Sequence, residues 1–400
     1  MKVLHVIPSI SPLRGGPSKA VIEMVLALND IGVTTEIATT NDNGRDELNV
    51  PLEQLSEFNG VPVRFFKRFS PAIHSIREFA YSGQYRNWIN KNIHNYDIIH
   101  VHAIFSFVSS YTMYLARKRD VKYVVRPIGQ LEEWSLKQSK LRKSVFLSLF
   151  EKENVENAAA IHFTADSELK QATKALPKLT SQAAIGQHAL VIPLGIKLPT
   201  PEANARSAIV KRYGLASDKR ILLYLSRIHP KKGLELLFSA LANLKQEKYQ
   251  LLIAGDGEDS YLEKLQRLTM DLGIGQCCQF IGFKTNELKQ ELLQGADLYV
   301  LTSHSENFGI AVLESLAAGT PTLVSKGVAL STLISEQDLG YVCDLTVEDV
   351  QHQLEYCLSE KNNAELIALG AKSRQYVEQH YRWGAIAREL SITYQNIIRI

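Results

Sequence analysis

The chain has 400 residues, 45% hydrophobic and 22% charged, which supplies apolar material for two or three packed domains and excludes a chain disordered by composition. Lys and Arg number 45 against 42 Asp and Glu, and the resulting net charge of +3 argues against a dedicated nucleic-acid binder. The four cysteines (Cys277, Cys278, Cys343 and Cys357) spell no C-x2-C pair, so neither a zinc ribbon nor a redox motif is written here, and their scarcity fits a reducing compartment. The opening MKVLHVIPSISP is too short and interrupted for a signal peptide, and no apolar run approaches the roughly 20 residues of a membrane span. The expectation is a cytoplasmic protein.

Along the chain, short apolar runs alternate with helical periodicity. Val3–Ile7 reads as a buried strand, and after a turn-rich loop Val21, Met24, Val25 and Leu28 form an i, i+3, i+4, i+7 stripe. Thr34–Thr39, Asp97–His102 and Lys122–Arg126 are further strands, with helices at Ser82–Ile93 and Ser106–Lys118. The pattern pauses near 193–220, where Pro193, Gly195, Pro199 and Pro201 suggest a linker, and then restarts. Ile221–Leu225, Gln250–Ala254, Gln279–Ile281, Leu298–Leu301 and Thr322–Val324 read as strands, with helices at Gly233–Leu244, Tyr261–Leu272 and about Trp383–Ile400. Such alternation predicts parallel βαβ units in two similar α/β halves with a cleft between them.

Three loops combine strand ends with helix starts. Arg14-Gly15-Gly16-Pro17-Ser18 follows the first strand; paired glycines let a ligand approach the backbone, and the next helix offers free N–H groups to an anion. It is neither G-x-G-x-x-G nor a Walker A loop, and an ordinary βα turn explains it equally well. Arg227-Ile228-His229-Pro230-Lys231-Lys232-Gly233 sets cations beside a helix N-terminus, an unfavourable position unless an anion binds. In Ser305–Glu314 the carboxylates of Glu306 and Glu314 flank a helix start, with the Phe308–Ile310 amides placed to hold phosphate. Carboxylates accept paired sugar hydroxyls, so one suits a ribose and the other a hexose. Asp97-x-x-His100-x-His102 lies on a strand; no third metal ligand is spelled nearby, His100 reads as a packed strand histidine, and His102, at the strand end, is expected to line the cleft. No Asp-x-Asp is present.

Together the GGP loop, DIIHVH, SRIHPKKG, IAGDGE (Ala254–Glu258) and SENFGIAVLESLAAGTP resemble the retaining glycosyltransferases of family four, with the GT-B fold. The resemblance covers almost the whole chain. It implies a two-domain α/β protein: residues 1–195 form an acceptor-side Rossmann-like domain, 196–383 a nucleotide-sugar-binding one, and a helix at about 384–400, after Tyr381 and Trp383, packs back on the first. It implies that Gly15 and Gly16 approach the donor diphosphate from one side while Arg227 and Lys232 bind it from the other. Glu314 would hold the ribose, and Glu306 with the Asn307, Phe308, Gly309 and Ile310 backbone the sugar and phosphate. His102 would touch the sugar, and Gly282, Phe283 and Lys284 would frame the base. Ser226 and Ala103 stand where the family commonly has glycine.

The family's account has the acceptor attack from the face the donor phosphate leaves, with Glu306, His102, Arg227 and Lys232 as the catalytic set and electrostatic stabilisation of the leaving diphosphate. No metal and no cofactor are expected. Lys232 and Glu314 are expected to face solvent when no donor is bound. UDP-glucose is the favoured donor, GDP-mannose the alternative, and a saccharide or lipid-linked saccharide the acceptor. A sugar-nucleotide-binding protein without transferase activity is the rival of a different class. The basic and apolar segment Ser135–Glu151 reads either as a membrane-surface helix for peripheral contact or as an ordinary helix.

Overall fold

The computed structural model describes residues 1–131, 151–175 and 188–399. Contacts gather the chain into two units, one of Met1–Gly195 with Trp383–Ile400 and one of Ile196–Arg382. In chain order the strands of the first unit are β1 (Lys2–Val6), β2 (Thr34–Thr40), the short ribbon β3 (Asp42–Asn43) and β4 (Asp46–Glu47), β5 (Leu55–Phe58), β6 (Val61–Phe66), β7 (Ile98–His102), β8 (Tyr123–Arg126), β9 (Ala160–Phe163) and β10 (Ala189–Val191). Eight of them form one sheet in the order β10-β9-β8-β7-β1-β2-β6-β5. All its pairs are parallel except β5 with β6. That hairpin turns on Asn59-Gly60, both at positive φ, as a two-residue turn matching strand twist requires. The sequence reading missed this pair, together with β9 and β10.

Side chains alternate across a strand, so β7 serves two environments. Ile99 and Val101 enter an apolar core with Leu4, Val6, Tyr85, Ile89, Val125 and Phe163. His100 and His102 face the opposite side. There the helix Gly16–Asp30 buries its Val21, Met24, Val25 and Leu28 stripe, and the helix Trp383–Arg399 packs alongside it. Trp383 Nε1 donates to Glu23 at 2.9 Å, and its ring fills the space a Cβ on Gly195 would need.

The second unit carries β11 (Arg220–Leu225), β12 (Tyr249–Ala254), β13 (Cys278–Gly282), β14 (Leu298–Leu301), β15 (Thr322–Ser325) and β16 (Tyr341–Cys343). They form an all-parallel sheet in the order β13-β12-β11-β14-β15-β16. Strand order reverses between β11 and β14, the point at which open α/β sheets bind ligands beyond their carboxyl ends. The helix expected from Gly233 begins at Leu234, because Gly233 takes a left-handed conformation and serves as its N-cap. Ile196 N donates to the Tyr381 carbonyl at 2.7 Å, tying the first residue of this unit to its last turn. All four cysteines are free thiols. The segment Ser135–Glu151 lies outside the described residues except for Glu151. That carboxylate is buried and accepts from Ser110 Oγ, Asn154 Nδ2 and the Phe105 amide.

Candidate active site

In the second unit the loops spelled by the three C-terminal motifs meet at the carboxyl edge of the sheet. Ser226 N donates to the Ala254 carbonyl at 3.1 Å and Ile228 N to the Asp256 carbonyl at 2.8 Å. This close pairing explains IAGDGE: a Cβ on Gly255 or Gly257 would run into the carbonyl of Ser226 or Ile228. Gly255 N in turn donates to the Gly282 carbonyl at 3.1 Å, bringing the Gly282 turn to the same edge. The Lys231-Lys232-Gly233 turn is pinned from the other side. His304 N and Ser303 Oγ both donate to the Lys231 carbonyl, at 2.8 and 3.1 Å, and Thr302 Oγ1 donates to the Gly233 carbonyl at 2.8 Å.

Within this frame Lys232 Nζ pairs with Glu306 Oε2. Glu306 is held through its backbone, since its N–H donates to the Gly327 carbonyl at 2.9 Å and its carbonyl accepts from Ala329 N at 3.0 Å. Gly309 (φ 90°) caps the helix Ile310–Ala318, Phe308 is buried beneath it, and the Asn307 Oδ1 is buried with no described partner. Glu314 lies in this helix, bridged to Lys289 Nζ at 2.6 Å. The expectation of solvent-facing side chains is corrected here: Lys232 is 6% exposed and Glu314 4%. A cation and an anion in so little water hold each other, and both therefore belong to the fold as well as to any ligand. Arg227 is exposed and, among the described residues, carries no hydrogen bond or ion pair. Phe283 is exposed, and Lys284 Nζ donates to the Ile281 carbonyl.

In the first unit Gly15 (φ 74°) caps the helix Gly16–Asp30, and a Cβ there would meet open space. The residue holding this loop is one the sequence reading passed over. Arg14 is bidentate to Asp42, at 2.6 and 2.9 Å, and bidentate to Glu78, at 2.8 and 3.0 Å, while buried Arg68 pairs with Asp42 from behind. These alternating charges fix the turn without using the amides of Gly15 and Gly16.

His102 departs from the expectation that it lines an open strand end: it is fully buried, and neighbours of its own unit occupy both ring nitrogens. Register places His5 opposite His100 and Arg126 opposite His102, and His162 joins from β9. Arg126 NH1 lies 3.4 Å from His102 Nδ1, and His102 Nε2 lies 3.0 Å from His5 Nδ1. His162 Nε2 meets the Ile192 carbonyl at 2.7 Å and its Nδ1 meets His100 Nε2 at 3.3 Å, while Tyr394 OH meets His100 Nδ1 at 2.7 Å. A guanidinium only donates and a carbonyl only accepts, so these fixed ends assign every proton. His102 and His100 carry theirs on Nε2, Tyr394 donates, and His5 keeps its proton on Nε2. Burial, then the neighbouring rings and Arg126, lower the pKa of His100 and His102 well below the usual histidine range; burial and Arg126 lower those of His5 and His162 to about 3. All four rings are neutral.

The reading that DIIHVH lacks a third metal ligand is also corrected, because the parallel neighbour β1 supplies His5. Ligand atoms of His5, His100 and His102 lie within 4.8 Å of one another. Ligation through His102 Nε2 would, however, shift its proton to Nδ1, against the Arg126 donor, and would set two cations together in a buried place.

The residues match two family models, Glycosyltransferase Family 4 over 14–178 and Glycosyl transferases group 1 over 205–375. An uncharacterised glycosyltransferase of Methanocaldococcus jannaschii is 31% identical over 184 residues, 46% of this chain and 46% of that one. A GDP-mannose-dependent alpha-(1-6)-phosphatidylinositol monomannoside mannosyltransferase of Mycobacterium tuberculosis is 29% identical over 202 residues, 48% of this chain and 51% of that one. In both, the match spans about half the relative's length. The structure of Anabaena HepE with UDP and glucose superposes with a TM-score of 0.76 over 99% of this chain and 100% of that chain, at 18% identity. With two Rossmann-like sheets and both models matched in chain order, the protein belongs to the glycosyl transferases group 1, family 4, and has the GT-B fold.

Proposed function

We propose that the protein is a retaining glycosyltransferase that moves a hexose from a nucleotide-diphosphate sugar to a saccharide or lipid-linked saccharide acceptor. UDP-glucose is the first candidate donor. The observation that carries the reading is the Lys232–Glu306 pair beside the helix start at Ile310. A cation, a carboxylate and free helix amides together complement a sugar diphosphate, whose phosphate takes the first and last and whose hydroxyls take the second. Arg227, Lys232 and the Asn307–Ile310 backbone hold the diphosphate in this reading; Glu306 holds the sugar, Glu314 the ribose, and Gly282–Lys284 the base. Gly15 and Gly16 offer a second backbone surface to an anion. His102 acts from beneath, through its neighbours, because its ring nitrogens are already engaged.

The donor's C1–O bond loosens as the acceptor oxygen bonds to C1 from the same face, and the departing phosphate oxygen takes the acceptor proton. Charge developing on the diphosphate meets Arg227, Lys232 and helix amides already in place, the largest kind of catalytic contribution. No divalent metal is needed in this scheme. GDP-mannose is the second reading, favoured by the mannosyltransferase relative. Calorimetric titration with UDP-, GDP- and ADP-sugars tests the donor. UDP-glucose binding with chelator present is expected; binding of GDP alone would transfer the donor assignment, and loss of turnover on chelation would remove the metal-free scheme. Binding with neither transfer nor hydrolysis would favour a sugar-nucleotide-binding protein.

A further inference from the structure

Arg126 ends β8 with its guanidinium 1% exposed, yet among the described residues it forms no ion pair. Its one close polar neighbour is the neutral His102 ring. The acid that acts on it from farther off, Glu168, already spends its oxygens on the Gly129 and Thr164 amides and the Thr164 hydroxyl. Burial pushes the Arg126 pKa down to about 10, which leaves the group charged at neutral pH. Buried charges are normally paired, and a buried donor without an acceptor asks for an explanation. Two such donors occur here: Arg126 Nε and, by the proton assignment above, His5 Nε2. They belong to strands at the centre of a parallel sheet, and Arg126 stands at its carboxyl edge, where such sheets take ligands.

We propose that Arg126 and His5 form an oxyanion site in the first unit, which receives a phosphate or carboxylate group of the acceptor. An uncompensated guanidinium, two vacant N–H donors and a ring of neutral histidines together complement a single negative group, and a guanidinium suits oxyanions for its planar, paired donors. The word acceptor rests on the glycosyltransferase reading; the anion site does not.

Thermal unfolding of the full chain tests it, with inorganic phosphate or acetate added at constant ionic strength. Phosphate or acetate should raise the melting temperature saturably, and which of them does so identifies the group. Arg126→Gln should lose the response. His5→Phe, which keeps the cation and removes one donor, should weaken phosphate binding roughly tenfold and guards against a poorly folded first variant. A response no larger than that to sodium chloride, or an Arg126→Gln protein that responds as the parent does, overturns the site. Saturating UDP should leave the phosphate response intact; its abolition would assign the anion to the donor and overturn the acceptor assignment. UDP titration of the same protein reads the donor proposal separately: UDP binding without a phosphate response removes this inference alone, and the reverse removes the donor reading alone.

Discussion

Lys232→Ala removes a side chain that is 6% exposed and leaves the carboxylate of Glu306, about a fifth exposed, without its cation. Breaking a fully buried pair costs about 3–5 kcal/mol, and an exposed pair is worth about 0–1 kcal/mol. This geometry lies between the two, so we expect about 2 kcal/mol. For a unit the size of Ile196–Arg382 that lowers the melting temperature by about 4–8 °C. Loss of a charge-assisted contact to a diphosphate should also weaken UDP by about 1.5–3 kcal/mol, roughly 10- to 150-fold. The assay is a double-mutant cycle with Glu306→Gln, read by calorimetric unfolding and by UDP titration. In the double variant neither uncompensated charge remains, so about half of the summed stability loss should return, while UDP affinity stays low. Additive stability losses, or a Lys232→Ala protein that binds UDP as tightly as the parent, would refute the argument.

Glu314→Gln should destabilise the second unit by about 3 kcal/mol, because it strands Lys289 in a buried place, and should weaken UDP as well; calorimetry showing unchanged stability would contradict the buried bridge. Acid should act on the first unit. The four buried histidines bind protons below their unfolded pKa of about 6.5 only when unfolded, so each withdraws up to about 1.4 kcal/mol of stability per pH unit as pH falls from there toward 3. A melting temperature flat between pH 7 and pH 5 would show the rings to be charged or exposed. Ala103→Gly should leave stability unchanged or raise it by up to about 1 kcal/mol, since Ala103 sits at φ 71° and the left-handed strain it sheds is offset partly by glycine's entropy. A loss above about 1 kcal/mol in denaturant titration would tell against that conformation.

The parallel architecture was legible because its signals are local. Val21, Met24, Val25 and Leu28 repeat at helical spacing, and the strands of the second unit are unbroken apolar runs. Asn59-Gly60 carried an equally local signal, a two-residue turn between apolar runs, and the hairpin β5–β6 went unread although the rule was available. The loops around Arg227, Lys232 and Glu306 were legible as chemistry but not as packing. That Gly255 and Gly257 exist to admit the Ser226 and Ile228 carbonyls follows only from two loops some thirty residues apart meeting. The histidine cluster was beyond local reading for the same reason. His5 and Arg126 reach His102 through sheet register across separations of 97 and 24 residues, and no spacing rule in one segment announces a partner in another. Burial of Lys232 and Glu314 was misjudged because charge alone argues for solvent, whereas pairing permits enclosure.

The assignment of Trp383 onward to the first unit has a consequence for how the protein is made. The second unit is one continuous stretch, Ile196–Arg382, and all of it can leave the ribosome and fold as a piece. The first unit, begun earlier, stays unfinished until the helix Trp383–Arg399 emerges, because Trp383 must reach Glu23 and Tyr394 must reach His100. During synthesis, then, the half translated first is completed last, and its polar sheet face, with Arg126 and four histidines, lies uncovered for as long as the other half takes to be translated. Nascent chains arrested before Tyr394 should accordingly present a folded second half beside a protease-sensitive first one.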